Sequence, residues 1–338
     1  MKQQYKASKC WPFPESIASC MTRKIKSLFK VGASVFAVLL TLAISADHHI
    51  DVEYAEQQPL ATKSLLLDIT RYRDRFIAVG ERGHIVISDD TKSWRQADHV
   101  PTRSTLTTVF ATKTRLWAGG HDSVIMTSGD GGNTWTLQSF DPEGQQAVMD
   151  IYFPDDDLGV AIGSYGLYLR TSDGGKTWDE FAVDEESDYH LNHLVVLDDD
   201  RWMIAGEAGL SYRSYDAGET WEPLEMPYEG SMWGDLQVNE DCVVFFGLRG
   251  HVIQTCDFGT TWTEVDSGSE SSISDAAEYD GTVLLAANGG NLLIRDDSGP
   301  FKIYHHSSGV DFAGVLSLGD GNFLLVGEDG VHHYPEVK

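Results

Sequence analysis

Short apolar runs recur along the chain, and each is followed by a glycine pair and then by a run in which apolar and polar residues alternate. Phe76-Ile77-Ala78-Val79 and Val243-Val244-Phe245-Phe246 are apolar runs, and His251-Val252-Ile253-Gln254 is an alternating run. Runs of four to six residues between glycine-rich turns are typical of β-strands. No segment after residue 46 keeps the spacing of an amphipathic helix. The pattern therefore predicts an all-β protein.

A second repeated pattern, [Ser/Thr]-x-Asp-x-Gly-x-Thr-Trp, follows the alternating runs. Its four full copies contain the pairs Asp130 and Trp135, Asp173 and Trp178, Asp216 and Trp221, and Asp257 and Trp262. A degenerate copy ends at Trp94, and the five tryptophans are 41 to 43 residues apart. The aspartate can accept hydrogen bonds from N–H groups of its own turn, and the glycine can adopt a positive φ. Each copy therefore predicts a tight turn that leads into the next strand.

The glycine pairs, usually Gly-x-x-Gly, occur seven times, and the last pair is Gly327 and Gly330. One unit reads as four antiparallel strands, which we call a to d. Units of this size cannot bury their apolar faces alone, so they must stack or close into a ring. We predict a seven-bladed β-propeller over residues 47–338 as a single domain. The alternative is an open solenoid, which would need polar caps at both ends.

The seventh unit has no apparent fourth strand, because the chain ends soon after His332-His333-Tyr334-Pro335. The distance from each tryptophan to the next a strand places a matching segment at Tyr54-Ala55-Glu56-Gln57-Gln58. We therefore expect this N-terminal segment to pair with the last blade as its d strand. Such pairing would close the ring and remove its free edges.

Residues 1–46 differ in composition from the repeats. A basic stretch that begins at Met21, a plausible true start, precedes an uncharged apolar run from Val31 to Ile44, and small residues follow at Ala43-Ile44-Ser45-Ala46. This order is typical of a cleaved secretory signal. The alternative is a membrane anchor, although the run is shorter than the roughly 20 residues that span a bilayer. We expect a periplasmic or secreted protein.

The charge balance limits the classes of partner. The chain carries a formal net charge of −27, and without residues 1–46 it would carry 18 basic and 51 acidic residues. So large an acidic excess disfavours binding to nucleic acids and to anionic membranes. Two cysteines remain, Cys242 and Cys256, on either side of a predicted hairpin turn. They could form a disulfide or stay as buried free thiols.

The tryptophan turns resemble the Asp-box of the bacterial neuraminidase repeat. With the Gly-x-x-Gly hairpins and the sevenfold count, the whole of residues 47–338 resembles the photosystem II assembly and stability factor family. The resemblance implies that the Asp-box aspartates and tryptophans are structural. In that family an arginine-rich patch is implicated in partner binding. Arg71, Arg73 and Arg75, with Arg82 and Arg103, are the most similar group here.

Candidate chemistry is sparse. Asp-boxes also occur in sialidases, whose reaction needs three convergent arginines. Arginines are present, but the Phe/Tyr-Arg-Ile-Pro sequence of sialidases is absent. The candidates are Arg82, Arg170, Arg213, Arg249 and Arg295. His305-His306 and His332-His333 lack a third metal ligand at a readable spacing. We expect no cofactor, no metal site and no catalysis, with a carbohydrate-binding or sialidase-like propeller as the alternative.

Propellers bind ligands on the face formed by their b–c turns and d–a connections. Candidate partner-binding residues on that face are Arg82, Tyr165, Glu207, Trp233, Arg249 and Glu328. Exposed aromatic and arginine side chains are favoured anchors of protein contacts, although an ordinary loop surface is the alternative. We expect a monomeric, non-catalytic scaffold or assembly factor for an envelope or membrane protein complex.

Overall fold

The computed structural model describes residues 52–296 and 299–336, and these residues form seven antiparallel sheets around a central channel. Each of the first six sheets contains four strands in meander order, and the seventh contains three. The prediction of a seven-bladed β-propeller is confirmed. No helix among these residues is both long and apolar enough to cross a membrane.

The strands follow one another in the predicted order a, b, c, d. Blades one to three comprise Leu66–Tyr72 (β1), Arg75–Gly80 (β2), Ile85–Ser88 (β3), Arg95–Gln96 (β4), Leu106–Ala111 (β5), Leu116–Gly120 (β6), Val124–Ser128 (β7), Thr136–Ser139 (β8), Val148–Tyr152 (β9), Gly159–Gly163 (β10), Tyr168–Thr171 (β11) and Asp179–Phe181 (β12). Blades four to seven comprise Leu191–Val196 (β13), Trp202–Gly206 (β14), Ser211–Ser214 (β15), Glu222–Pro223 (β16), Met232–Gln237 (β17), Val243–Gly247 (β18), Val252–Thr255 (β19), Thr263–Glu264 (β20), Ile273–Tyr279 (β21), Thr282–Ala287 (β22), Asn291–Asp296 (β23), Lys302–His305 (β24), Phe312–Ser317 (β25), Phe323–Gly327 (β26) and Gly330–Tyr334 (β27). Short 3₁₀ turns occupy Ala61–Lys63, Glu81–Gly83, Ser164–Gly166, Leu248–Gly250 and Asn288–Gly290.

The position of a strand in its blade explains its composition. The b strands have neighbours on both faces and at both edges, so they are almost wholly apolar. Every residue of β10, β14, β18 and β26 is buried. The d strands lie at the outer rim, and every residue of β12, β16, β20 and β24 is exposed. The core therefore consists of apolar layers between neighbouring blades, as expected for sheets that are covered on both faces.

The ring closes by packing of the seventh blade against the first. Leu66, Phe76 and Val86 of the first blade form one buried cluster with Leu324 and Val326 of the seventh. The seventh sheet has only β25, β26 and β27. The 3₁₀ turn at Ala61–Lys63 lies beside β27, where a Cβ on Gly330 would overlap the carbonyl oxygen of Thr62.

The predicted pairing of Tyr54–Gln58 with the last blade is not confirmed, because this segment lies along the first blade. The Ala55 N–H donates to the Val100 carbonyl at 3.0 Å, and the Gln57 side-chain amide donates to the Ala97 carbonyl at 2.6 Å. Arg103 also holds the segment, through contacts with Glu53 and Glu56. The spacing argument placed the segment in the wrong blade because these polar contacts bind it to the first one.

Candidate functional site

The seven b–c hairpins share one backbone conformation. In each blade, the N–H of the residue after the b strand donates to the carbonyl of the residue that precedes the a strand or its bulge. Glu81 to Leu65, Ser164 to Ala147 and Leu248 to Ser231 are three examples, with N–O distances of 2.9 to 3.1 Å. The next residue has a positive φ. In chain order these residues are Arg82, Asp122, Tyr165, Ala208, Arg249, Gly289 and Asp329.

A positive φ is uncommon for residues other than glycine and needs support from the surrounding structure. Six of the seven hairpin positions nevertheless carry a side chain, with φ between 55° and 62°. Of these, Arg82, Tyr165 and Arg249 are exposed. The repeated conformation therefore presents a ring of variable side chains on one face of the propeller, which we call the hairpin face.

All six predicted partner-binding residues lie on the hairpin face. Arg82, Tyr165 and Arg249 occupy the positive-φ position, and Glu207 and Glu328 occupy the position before it. Trp233 lies at the start of β17, beside the same end of the channel. The structure thus brings these residues to one face.

Three of the blades form a polar and aromatic group at the channel mouth. The rings of Tyr165 and His190 lie edge to face with centroids 5.1 Å apart. A carboxylate oxygen of Glu207 lies 3.2 Å from the backbone nitrogen of His190 and 3.8 Å from its Nδ1 atom. Tyr165, Tyr189 and Trp233 are 58%, 46% and 36% exposed. Large aromatic side chains with this exposure are available for contact with another molecule.

The mouth opens into a cavity of about 400 Å³ at the centre of the ring. Each a strand has a register irregularity between its first and third residues, so one residue per blade bulges into the channel. These seven bulge residues all line the cavity, and they are Leu67, Thr107, Met149, Asn192, Trp233, Ser274 and Ala313. The residues that follow the bulge are mostly polar.

Three of the following residues are aspartates that connect neighbouring blades. Asp68 accepts the N–H of Val109 at 2.7 Å, Asp150 accepts that of Leu194 at 2.9 Å, and Asp275 accepts that of Val315 at 2.7 Å. The other oxygen of each carboxylate accepts the N–H of the next residue in its own strand. These carboxylates therefore tie the first blade to the second, the third to the fourth, and the sixth to the seventh.

Enclosure in the channel raises the pKa of these carboxyl groups. Burial is the main cause for each, and it raises the pKa of Asp68 to about 7, with the charge of Asp275 adding to the effect. The pKa of Asp275 is raised to about 6 and that of Asp150 is also raised, although hydrogen bonds from the backbone act in the opposite direction. Protonation of the channel therefore changes near neutral pH.

His193 lies between two of the channel carboxylates. Its Nδ1 atom is 3.0 Å from Asp235 Oδ1, and its Nε2 atom is 3.8 Å from Asp150 Oδ2. Burial disfavours the imidazolium, but the charges of Asp235 and Asp150 outweigh burial and hold the pKa of His193 well above its ordinary value. Asp235 occupies a position that is apolar in the other blades, and its Oδ2 atom is buried without a hydrogen-bond partner.

Sequence analysis did not single out this channel group. A signal was present, because Asp68, Asp150 and Asp275 occupy the same offset of their units, two positions after an apolar residue. A carboxylate inside an otherwise apolar strand at repeat spacing indicates a shared internal site. The bulge that turns each of these side chains into the channel could not be read from the sequence.

The four full Asp-boxes lie in the c–d turns at the outer rim. In one of them, Asp173 Oδ1 accepts the N–H of Thr177 at 3.0 Å, and Oδ2 accepts the hydroxyl of the same residue at 2.8 Å. Hydrogen bonds from Thr177 lower the pKa of Asp173 to about 2. Asp130, Asp216 and Asp257 accept the equivalent pair of bonds from Thr134, Thr220 and Thr261. The aspartates are therefore occupied within their own turns.

The box tryptophans pack between blades. Trp135 is 3% exposed and its indole N–H donates to the Gly132 carbonyl at 2.9 Å. Trp178 lies edge to face against Trp117 and Phe153, with centroids 6.3 and 5.8 Å apart. Trp221 packs on Tyr168, and Trp262 packs on Phe245. These contacts place the box tryptophans in the packing between blades.

The arginines considered for sialidase chemistry lie at separate places. Arg170 pairs with Glu219 in the Asp-box of the next blade, and Arg213 donates to the Phe258 carbonyl at 3.0 Å, also in the next box. Arg295 is 8% exposed and lies over the Phe301 ring. Arg82 and Arg249 occupy equivalent hairpins of the first and fifth blades. Arg170, Arg213 and Arg295 are thus engaged in packing, away from the channel mouth.

The arginines compared with the family's patch also divide between two faces. Arg71 and Arg73 lie at the β1–β2 turn, and Arg75 begins β2, whereas Arg82 follows the other end of that strand. Arg103 is on the Arg82 side, where it pairs with Glu53 and Glu56. These five residues do not form one patch.

The two cysteines of the fifth blade are joined. A disulfide connects Cys242, which precedes the b strand, with Cys256, which lies in the Asp-box. The described part of the chain holds no group of three or more histidine, cysteine or acidic side chains arranged for a metal ion. His306 instead contacts Ser308 and the His333 carbonyl, and His332 contacts the Glu328 carbonyl.

Comparison with known proteins supports the resemblance noted in the sequence. The family described as photosynthesis system II assembly factor YCF48 matches residues 137–299. This segment extends from the last strand of the second blade to the sixth blade. Over this segment the chain is similar to photosystem II assembly factors.

Solved structures share the seven-bladed fold. YCF48 from Cyanidioschyzon merolae is 17% identical with a TM-score of 0.65, over 82% of this chain and 97% of that one. A structure titled "YCF48 bound to D1 peptide" is 18% identical with a TM-score of 0.65, over 84% of this chain and 94% of that one. The WD40 propeller domain of Doa1 is 12% identical with a TM-score of 0.66, over 82% of this chain and 95% of that one. No curated protein matches the chain. At these identities the solved structures support the fold alone.

Proposed function

We propose that the protein is a non-catalytic scaffold that binds a segment of a partner protein on its hairpin face and assists assembly of an envelope or membrane complex. The observation that carries this proposal is the group of exposed aromatic residues Tyr165, Tyr189 and Trp233 around the mouth of the channel. Aromatic side chains beside a pocket are typical anchors for a polypeptide partner.

The comparisons add support of a general kind. The matching family is one of assembly factors, and one solved structure with the same fold carries a peptide. We therefore infer a peptide segment as the part of the partner that is bound.

The proposal of a non-catalytic role rests on how the polar side chains are used. The channel carboxylates Asp68, Asp150 and Asp275 accept backbone hydrogen bonds with both oxygens. Arg170 and Arg213 contact neighbouring Asp-boxes. These groups act in the scaffold, whereas a sialidase would direct its arginines to the carboxylate of a substrate.

We further propose export to the periplasm or cell exterior, with residues 1–46 as the cleaved signal. This segment lies outside the described residues, so the support is its sequence alone. Edman degradation of the protein isolated from its own cells would test export. The expected N-terminus lies close to residue 47, and an intact Met1 or Met21 end would contradict cleavage.

Quantitative affinity capture tests the scaffold function. The wild-type chain is compared with a Tyr165→Ala, Trp233→Ala double variant and with Leu158→Ala, whose side chain is 47% exposed at the opposite end of β10. Because interface aromatics often contribute more than 1 kcal/mol each, the double variant should lose at least about 90% of a specific membrane-complex subunit. Leu158→Ala should retain it. Equal recovery by all three proteins would contradict docking on the hairpin face.

A further inference from the structure

We propose that the central channel receives one basic side chain, a lysine ammonium or an arginine guanidinium, from the partner polypeptide. This inference rests on the proposed function and names the chemistry that the channel mouth would recognise. It concerns a site deeper than the exposed aromatic residues of the hairpin face.

The charge of the channel lining favours a cation. Four carboxylate side chains line the cavity, and no lysine or arginine is among its lining residues. The four are Asp68, Asp150, Glu207 and Asp275. The two lining histidines are already placed beside carboxylates, His190 near Glu207 and His193 between Asp150 and Asp235. One His193 cation therefore faces several carboxylates.

An unpaired acceptor lies next to this group. Asp235 is 5% exposed, and its Oδ1 atom contacts His193 on the channel wall. Its Oδ2 atom is buried and has no hydrogen-bond partner among the described residues. A buried carboxylate oxygen without a donor is unfavourable, so additional positive charge in the channel would stabilise the group.

The cavity also suits the shape of a long basic side chain. Leu67, Met149 and Ala313 supply apolar walls, and Trp233 lies at the mouth with 36% of its surface exposed. Lysine and arginine combine an apolar stem with a charged end, and an indole ring attracts such cations. The volume of about 400 Å³ holds a side chain of this length.

A metal ion fits less well than an organic cation. The described residues contain no cluster of three or more metal-ligand side chains, and each of Asp68, Asp150 and Asp275 already accepts two backbone N–H groups. The remaining electrostatic attraction acts over the whole channel, and the protein's charge of −27 increases the local concentration of cations.

Blocked tripeptides test the proposal directly. Acetyl-Gly-Lys-Gly-amide and acetyl-Gly-Arg-Gly-amide are titrated into the chain from residue 47, with acetyl-Gly-Gln-Gly-amide as the neutral control. The readout is the ¹⁵N–¹H resonance of the Trp233 indole, assigned with the Trp233→Phe variant. We expect saturable shifts with the two basic peptides and none with the glutamine peptide. Equal shifts from all three, or none from the basic pair, would overturn the proposal.

Two variants of equal charge locate the site. Glu207→Gln removes a charge-assisted hydrogen bond to the ammonium, so it should weaken lysine-peptide binding by about tenfold or more. Glu180→Gln, on the exposed strand β12, removes the same charge at the rim and should leave the affinity unchanged. If both variants weaken binding equally, the effect is caused by the net charge of the protein, and a channel site is contradicted.

The pH dependence gives a readout that does not need a variant. The titratable groups that line the cavity are Asp68, Asp150, Asp275, Glu207, His190 and His193, and Asp235 lies behind His193. The pKa values of Asp68 and Asp275 are about 7 and about 6, so both must lose protons to attract a cation. Affinity should rise between pH 5.5 and pH 8, with proton release on binding. Affinity that falls over this range would contradict the proposal.

Failure of this inference can be told apart from failure of the proposed function. In one outcome the basic peptides do not bind, but the double variant with Tyr165→Ala and Trp233→Ala still loses the membrane subunit. The hairpin face is then the docking surface and the proposed channel site is wrong. In the other outcome the basic peptides bind, but the double variant captures the membrane subunit as well as the wild-type chain does. The scaffold proposal is then wrong. A further titration uses n-butylammonium, which lacks a peptide backbone. If it binds as tightly as the lysine peptide does, the ligand of the channel is a free amine.

Discussion

Asp68 Oδ2 accepts the backbone N–H of Val109 at 2.7 Å, across the boundary between the first and second blades. The equivalent aspartates of the third and sixth blades make the same contact with the next blade. At three boundaries of the ring, a carboxylate thus joins neighbouring blades, which are usually held together by apolar packing. This contact places titratable groups in the centre of the fold.

The first prediction concerns stability and pH. The pKa of Asp68 is raised to about 7 by burial, above its ordinary value of 3.8, so the folded chain binds this proton more tightly than the unfolded chain. The protonated Asp68 side chain therefore adds its full contribution to the free energy of unfolding below about pH 4. This contribution is lost as the pH rises to about 7. Asp68→Asn should make the unfolding free energy depend less on pH in that window, by up to about 1.4 kcal/mol per pH unit. Urea unfolding at several pH values measures this slope, and an unchanged slope would contradict the assignment.

The second prediction compares two Asp-box tryptophans. Trp135 is 3% exposed and has a bonded indole N–H, whereas Trp178 is half-buried and its Nε1 atom has no partner. Trp135→Ala should lower the free energy of unfolding by about 3–5 kcal/mol. Trp178→Ala should lower it by about 2–3 kcal/mol, because less surface is removed from contact. Chemical denaturation checks both values, and a larger loss at Trp178 would show that these burial differences do not control stability.

The third prediction concerns Cys242 and Cys256. The protein from residue 47 should resist alkylation until it is reduced and should then gain two labels, as measured by intact mass. Replacing both cysteines by serine opens a loop of 14 residues, for which the chain-entropy estimate is about 3 kcal/mol. Two labels without reduction would establish free thiols instead.

The fourth prediction separates binding from folding on the hairpin face. Tyr165 and Arg249 are exposed at positive-φ positions, so their replacement removes few native contacts. Tyr165→Gly and Arg249→Gly keep the backbone conformation accessible and should change the free energy of unfolding by less than about 1 kcal/mol. Any loss of partner binding then reports on the surface. Unfolding of either variant at growth temperature would show that the hairpins are structural.

The sequence was sufficient to predict the blades because each repeat carries local signals. The glycine pair before Leu167 and the box that ends at Trp178 fix a turn at each end of the c strand of one blade, and the copies repeat this arrangement. The prediction could not place Tyr54–Gln58, because side-chain contacts with Gln96, Ala97 and Arg103 decide its position. Such contacts join residues about 40 positions apart and leave no periodic pattern.

The candidate site was predictable only in part. The hairpin positions of Tyr165 and Arg249 followed from the repeat, and so did their presence on one face. The channel group was not predicted because it depends on a bulge in each a strand, which changes the direction of side chains such as Asp68 and His193. A bulge depends on the register of two paired strands, so the composition of one strand does not reveal it.

Site-specific photo-crosslinking in the protein's own cells tests the central claim most directly. A photoreactive amino acid replaces Tyr165 on the hairpin face in one strain and Leu158 on the opposite face in another; the two side chains are 58% and 47% exposed. The account predicts that one membrane or envelope protein is crosslinked from position 165 and not from position 158, as identified by mass spectrometry. Crosslinks to that protein from position 158 alone, or none from position 165, would contradict a docking role for the hairpin face.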